Sequence, residues 1–422
     1  MPDASLALGA TLSPLWVAPF VALLLCIALM PLRAPHFWEQ NRNKLFVALG
    51  LGLPVGLLIA LKDPHTLVHT LADYISFIVL LGSLFTAAGG IVLRGDLRAT
   101  PEVNAAFLAA GAVFSNLIGT TGASMLFIRP VLRTNSERRN TGHIPVFFIF
   151  IVSNAGGLLT PLGDPPLFLG YLQGVPFFWT LRLWPVWLLC VGALLAVFYA
   201  WDSRAYAREK ISDLRFDEIA ATPLVVVGKR NLVFLGGIVG AVFLPPPWRE
   251  ATMVAMGAGS LLATPREYRR ENGFSWGAIV EVAALFAGIF LTMIPALLIL
   301  EARGAAFGIT RPWQFFWLTG ALSSFLDNAP TYLTFLSLAQ SLGAQGALDA
   351  VVGVPGTLLA AISAGAVLMG ANSYIGNGPN FMVKAIAEEY RFRMPSFFGY
   401  MAIAAAVLLP IFLVATLLFF RG

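Results

Sequence analysis

Twice in this 422-residue chain, 213 residues apart, a hydrophobic stretch is interrupted by nearly the same run of glycine, proline and oxygen-bearing side chains. The copies are GLLTPLGDPPLF at Gly157–Phe168 and GANSYIGNGPNF at Gly370–Phe381. Without a gap, Gly157, Gly163, Pro166 and Phe168 fall on Gly370, Gly376, Pro379 and Phe381, and Thr160 faces Ser373. Upstream, at an offset of 212, Ser115-Asn116 falls on Asp327-Asn328, again in apolar surroundings. Glycine and proline interrupt helices, so the chain reads as a duplicated unit. Each copy must hold irregular backbone inside hydrophobic sequence.

That requirement is severe in lipid, and composition puts the chain there. Of its residues 58% are hydrophobic and 12% charged, and the mean hydropathy is +0.79, outside the range of soluble domains. Stretches long enough to cross a hydrocarbon core of roughly 30 Å run over 13–32, 44–61, 67–93, 102–132, 142–172, 176–200, 229–244, 250–264, 274–300, 312–342, 355–383 and 396–420. The first lacks a preceding basic residue and a small-residue cleavage site, so it reads as a span and not a removable signal. Cys26 and Cys190 fall inside spans, which argues against disulfides. His36, His65, His69 and His143 lie in or near loops without ligand spacing, and no structural metal is expected.

The isoelectric point near 9.4 invites a nucleic-acid reading, but the positions of the basic residues say otherwise. Of 27 Lys and Arg, 21 lie in the linkers 33–44, 94–101, 129–141, 202–230, 265–273 and 384–395. If all twelve stretches crossed, the linker with Arg129, Arg133, Arg138 and Arg139 would lie opposite that with Arg94 and Arg98, against the positive-inside bias. Making 102–132 a hairpin that enters from the cytoplasm, and 312–342 one that enters from outside, puts all 21 on the cytoplasmic face.

Each half then has three spans, a re-entrant hairpin, a broken span and one more span. The fold class is an all-α polytopic membrane protein with ten crossings plus two hairpins. Five crossings per half is odd, so the second copy inserts upside down relative to the first, the inverted repeat of secondary transporters. Expected units are a first repeat 1–201, a cytoplasmic linker 202–228 forming a charged surface helix, and a second repeat 229–422. Both termini would lie outside.

Irregular backbone at membrane depth is tolerated only where protein or a wet cavity satisfies its N–H and C=O groups. In the first half the hairpin turn offers Ser115, Asn116, Gly119, Thr120 and Thr121, and the broken span offers Ser153, Asn154, Gly157, Thr160, Gly163 and Asp164. The second half offers Ser323, Ser324, Asp327, Asn328 and Thr331, then Asn372, Ser373, Gly376, Asn377, Gly378 and Asn380. These are hard oxygen donors suited to Na⁺ and not to a soft metal.

Asp164 in Gly-Asp-Pro-Pro also has the form of an N-cap with proline at the first helical positions. Asp327 also has the form of an Asx turn. Capping and ion binding are compatible, and an intramembrane carboxylate is a functional candidate. Asp73 and Glu281 lie within about 10 Å of an interface, where hydration explains them, and Arg129 reads as an anchor at the hairpin exit. Gly50, Gly52 and Gly56, like Gly236 and Gly240, suggest close helix packing. No phosphate-loop, dinucleotide or nucleophile–base pattern appears, so an enzyme is not expected.

With these motifs in hand, the chain resembles the ion transporter superfamily over nearly its whole length. FSNLIGTT and FLDNAPT look like that superfamily's paired hairpin tips, and SNAGGLLTPLGDPP and GANSYIGNGPN like its paired broken-helix turns. SNAGG with GDPP is most similar to the NhaD-type sodium/proton antiporters and the CitMHS-like citrate carriers. The resemblance implies a homodimer in a bacterial inner membrane, a static scaffold, and a transport domain holding both hairpins that moves like an elevator. It would put one cation site at Ser115, Asn116, Gly163 and Asp164 and its mirror at Asp327, Asn328, Gly376 and Asn377.

The chain departs from the superfamily pattern where Thr should follow Asn116, where Asp327 replaces Ser, and in Gly-Asn-Gly-Pro at the second turn. A carboxylate at a tip would repel a dicarboxylate, since like charges about 4 Å apart cost about 4 kcal/mol at an effective dielectric of 20. The expectation is therefore Na⁺/H⁺ antiport with Asp164 and Asp327 as exchange carboxylates, no cofactor beyond the transported ions, and no nucleic-acid partner. The alternative is a Na⁺- or H⁺-coupled symporter for citrate or a dicarboxylate, drawn to half-helix N-termini.

Overall fold

The structure is a computed structural model that describes residues 2–344 and 346–422, with backbone alone at 2–5, 32, 213, 214, 216 and 220. In the first half α1 (Pro2–Thr11) and α2 (Ala18–Arg33) lead through a short α3 (Pro35–Trp38) to α4 (Asn41–Lys62) and α5 (Pro64–Ala88). A strand β1 (Val92–Asp96) follows, then α6 (Pro101–Thr134), α7 (His143–Ile151), α8 (Pro165–Leu172) and α9 (Trp184–Tyr206). The second half, reached through α10 (Ile211–Ala220) and β2 (Thr222–Val227), has α11 (Arg230–Ala241), α12 (Trp248–Ala263), a short α13 (Arg266–Glu271) and α14 (Gly277–Arg303). It ends with α15 (Pro312–Ser323), α16 (Asn328–Ser341), α17 (Gly356–Met369), α18 (Gly378–Glu389) and α19 (Phe397–Phe419).

Seven helices among the described residues are long and apolar enough to cross a membrane, so the protein is an integral membrane protein, all-α but for one small sheet. The other apolar helices are short or interrupted. Prolines 245–247 end α11 after 12 residues, and α12 has 16, fewer than a straight crossing needs.

α6 is one of the seven, yet it folds back on itself. A straight helix of its 34 residues would be about 50 Å long. Instead Gly119 takes φ 77°, a conformation nearly free to glycine and costly to other residues. Its two arms lie side by side: Phe114 and Phe127 have ring centroids 5.5 Å apart, and at the base the Asn104 and Asn135 amides exchange hydrogen bonds of 2.9 and 2.7 Å. The second hairpin, α15 and α16, turns at 324–327, and Phe315 meets Phe335 edge-on at 6.3 Å.

Within the hairpins and the broken helices α7–α8 and α17–α18, the halves α7, α16 and α17 are buried almost throughout. All the residues 144–151 of α7 are buried, and so are most of α17. Burial all round a helix is what lets its interruption be lined by protein. Around this centre α4 and α14 pack backbone to backbone: a Cβ on Gly288 would sit 2.7 Å from Ala48, and Gly52 and Gly56 seat Leu291. The packing expected at Gly50, Gly236 and Gly240 is not found, because each opens on empty space within this chain. Glu281 is held by Lys44 at 2.7 Å.

The linker departs from the expected surface helix. α9 runs on to Tyr206, α10 follows, and residues 222–227 form β2, paired antiparallel with β1 from Val92 opposite Val227 to Asp96 opposite Thr222. The β-branched run in TPLVVV favours a strand, and its partner β1 straddles the end of the expected third span at 93 and the linker that follows it. Gly228, at φ 75°, lets the chain turn away; a Cβ there would lie 2.0 Å from Gly90 O.

Candidate functional site

Two hydroxyls locate the repeat in space. Thr160 donates to the carbonyl of Asn116, and its sequence counterpart Ser373 donates to the carbonyl of Ser324. Each fastens the interruption of a broken helix onto a hairpin arm. Thr160 and Ser373 are 213 residues apart, but the carbonyls they meet are 208 apart. The spatial counterpart of Asn116 is therefore Ser324, that of Gly119 is Asp327, and that of Thr120 is Asn328. The expected pairing of Ser115-Asn116 with Asp327-Asn328 is corrected by four residues, about one helical turn.

With that register the tips converge. Thr120 N donates to Gly163 O at 2.8 Å, and Thr120 Oγ1 donates to Asp164 Oδ1 at 2.8 Å. From the other hairpin Asn328 Nδ2 donates to Asp164 Oδ2, and from the other broken helix Asn377 Nδ2 donates to Asp164 Oδ1 at 3.1 Å. Asp164 is 1% exposed, and no Lys or Arg pairs with it among the described residues. Three neutral donors from both halves hold one carboxylate. Its position explains the local sequence: Asp164 is the N-cap of α8, with β-region backbone, and Pro165 and Pro166 fill the first helical positions. Its side chain is not spent on capping.

A ring of amides surrounds this point. Asn154 Nδ2 donates to Asn380 Oδ1 at 2.7 Å, and Asn377 Nδ2 also reaches Ser153 O at 3.1 Å and Asn154 Oδ1 at 3.2 Å. Asn380 returns to Gly370 O and Ser373 O at 2.8 and 2.9 Å. Ser153 shares a 2.8 Å bond with Ser124. The freed carbonyls of the broken helices thus find donors, as membrane depth requires. Two amide acceptors of the expected site residues are left over among the described residues: Asn328 Oδ1, on the residue that bonds Asp164, and Asn372 Oδ1, at the second interruption, are buried with no hydrogen-bond partner.

Other expected residues lie apart from the carboxylate. Ser115 Oγ turns to Gly111 O and Val152 O, both at 2.8 Å. Asn116 Oδ1 accepts from Leu159 N at 2.8 Å, so it supports the break. Asp327 accepts from Ala329 N at 3.0 Å as the N-cap of α16, and Thr331 donates to Asp327 O at 2.9 Å. Asn372 donates to Ser324 Oγ at 2.9 Å. Gly157 and Gly163 are needed for proximity, since a Cβ on Gly163 would lie 2.1 Å from Gly157 O; Gly376 repeats this against Gly370 O at 2.6 Å. Asp73 accepts from Gln173 at 2.9 Å, away from the centre.

Beside Asp164 is a cavity of about 70 Å³, lined by Gly119, Thr120, Thr121 and Gly163 on one side and by Leu84, Ile279 and Val282 on the other. It lies where the first hairpin tip meets α5 and α14. Drug-sized ligands occupy pockets of about 300–1,000 Å³, and this space is well below that range.

Sequence reasoning missed a second buried polar group. Arg138, expected as a solvated charge, pairs with Asp202 at 2.6 Å, with side chains 1% and 0% exposed. His143, expected near a loop, meets Asp202 Oδ1 at 2.9 Å, and Asn104 donates to Asp202 Oδ2 at 2.9 Å. These residues clamp the base of the first hairpin to α9. Their separation in sequence, up to 98 residues, left no local signal.

Comparison with known families finds that a family model described as "Putative citrate transport" matches residues 9–420. No curated protein matches the chain.

Proposed function

We propose that this chain, which belongs to the family of that description and so is a secondary transporter of the ion transporter superfamily, exchanges Na⁺ for H⁺ at Asp164. The observation that carries this is the environment of one carboxylate. Asp164 is wholly buried, bears three neutral hydrogen bonds and no basic partner among the described residues, and has an unpartnered amide oxygen, Asn328 Oδ1, on the residue that bonds it. A charge so buried needs compensation. A proton supplies it on the carboxylate itself; Na⁺ supplies it with Asn328 Oδ1 turned to the cation as a further hard ligand.

Proton and Na⁺ then compete for one place, which is the minimum an exchanger needs. Asp327, at the tip of the other hairpin, is the second exchange carboxylate. Because Asp164 takes donors from both halves, hairpins and broken helices travel together, consistent with an elevator-like motion against α4, α5, α12 and α14. A homodimer, a bacterial inner membrane and termini outside complete this reading.

The family description favours a second reading, symport of citrate with Na⁺ or H⁺ held at the same carboxylate. Proteoliposomes with a pH-sensitive dye inside separate the two. Antiport predicts a lumenal pH change on adding Na⁺ with no organic anion present. A response that appears only with citrate would overturn antiport and leave symport.

A further inference from the structure

Far from Asp164, the loop 135–142 after α6, the end of α9 and the segment 390–396 before α19 enclose a cavity of about 1320 Å³. Six arginines line it: Arg138, Arg139, Arg204, Arg208, Arg391 and Arg393. No Asp or Glu does so among the described lining residues. Arg138 is held by Asp202, and its guanidinium also lies 5.4 Å over the Tyr206 ring, so the floor is fixed. Arg204, Arg208, Arg391 and Arg393 are exposed and form no ion pair among the described residues. Gly142 brings the two loops together, since a Cβ there would meet Arg393 O at 3.0 Å.

Beside the arginines the lining has polar side chains, Asn135, Ser136, Asn140 and Thr141, and an apolar wall of Val146, Phe147, Val197 and Ile403. Trp201 is 40% exposed and Tyr390 38%, and Trp201 stacks on His143 with 8° between the rings. Aromatic side chains that are half wet and half apolar mark the level of lipid headgroups. This is also the face that the positive-inside bias assigns to the cytoplasm, where anionic lipids concentrate.

We propose that this cavity binds the headgroup of an anionic phospholipid, its phosphate held by the arginines and its acyl chains leaving along the apolar wall between α9 and α19. Clustered like charges repel one another, so the arginines gain from a shared anion. Guanidinium groups bind phosphate through paired hydrogen bonds that ammonium groups do not make. A soluble anion would satisfy the arginines but would leave Val197, Ile403 and the aromatic mouth without a partner.

The test uses the full chain in phosphatidylcholine vesicles with and without phosphatidylglycerol, reading the melting temperature, since a ligand that binds the folded form raises it. Phosphatidylglycerol should raise the Tm of the unmodified protein. Arg391→Gln with Arg393→Gln should lose most of that rise, while Arg266→Gln, an exposed arginine elsewhere, should keep it. If the double variant does not fold, Arg204→Gln with Arg208→Gln carries the same comparison. An equal rise in the cavity variants, or no rise in any protein, overturns the proposal. So does the same rise from inorganic phosphate in pure phosphatidylcholine, which would make the cavity a soluble-anion site.

Discussion

Thr120 at the tip of one hairpin and Asn328 at the tip of the other donate hydrogen bonds to opposite oxygens of a single carboxylate, that of Asp164. Their equivalence in space, at an offset of 208, means that the duplicated tips have been brought to one acceptor and not to two.

Asp164→Asn should abolish Na⁺-driven proton movement in proteoliposomes while the protein melts at or above the unmodified temperature, because the change removes a buried charge without a basic partner. Asn377→Asp is the converse. It sets a second carboxylate where the amide nitrogen now lies 3.1 Å from Asp164, and repulsion on the order of 4 kcal/mol at an effective dielectric of 20 should lower the melting temperature unless Na⁺ is added.

At Asp327 the charge can be separated from the cap. Asparagine caps a helix about as well as aspartate, so Asp327→Asn should keep the melting temperature and lose exchange. Unchanged exchange would reduce Asp327 to its hydrogen bond with Ala329. Asp327→Ala should in addition lose about 1 kcal/mol of stability with the cap, read by denaturation in detergent.

Gly119→Ala should cost about 1–3 kcal/mol, because φ 77° with ψ 155° is a backbone region almost confined to glycine. Exchange should fall further than stability, because the same residue sets the position of Thr120. An unaffected exchange rate would show that the tip does not need its present geometry.

Ser136 is exposed at the base of the first hairpin. A cysteine there should react with an impermeant maleimide only from the cytoplasmic side, and labelling only from outside would overturn the hairpin topology. Arg138, two residues on, is too buried to serve as the labelling site.

Burial lifts the carboxyl of Asp217 above the usual carboxylate range, partly offset by its hydrogen bond from Ala99 N at 3.0 Å. A raised folded value makes the acid favourable to folding below its unfolded pKa and unfavourable as pH rises through the folded one. Asp217→Asn, which can still accept from Ala99, should therefore raise the melting temperature at pH 7, with the gain vanishing near pH 3. A gain independent of pH would assign the effect to something other than ionisation.

Much of this arrangement was legible in the residues. Pro166 and Pro379 stand among glycines and oxygen-bearing residues, a combination that single prolines inside the helices, such as Pro54 and Pro295, lack, so both interruptions could be read directly, and the Arg94-to-Arg139 charge pattern required the first hairpin that Gly119 makes. The error in the tip register has a physical source. Asn116 and Asn328 match as letters, but a shift of about one turn keeps residues on the same helix face, so apolar patterning could not expose it. The Thr160 and Ser373 hydroxyls reveal it because they fix positions along the axis. Strand β2 was hidden inside a linker read whole as one charged surface helix, because the strand is short and its partner β1 precedes the first hairpin in the other half of the chain. The clamp of Arg138, Asp202 and His143 depends on contacts that no window of sequence contains.

If exchange runs through these carboxylates as proposed, the unlike residues at equivalent places, Asp164 against Asn377 and Asp327 against Gly119, set how a membrane voltage acts on the protein. If Asp164 alone is loaded, each Na⁺ trades for one proton and the cycle carries no current. If Asp327 takes a second proton on the return, each cycle moves one net charge, and the membrane potential becomes a source of work. Current recorded from reconstituted protein, with and without Asp327, reads that count directly.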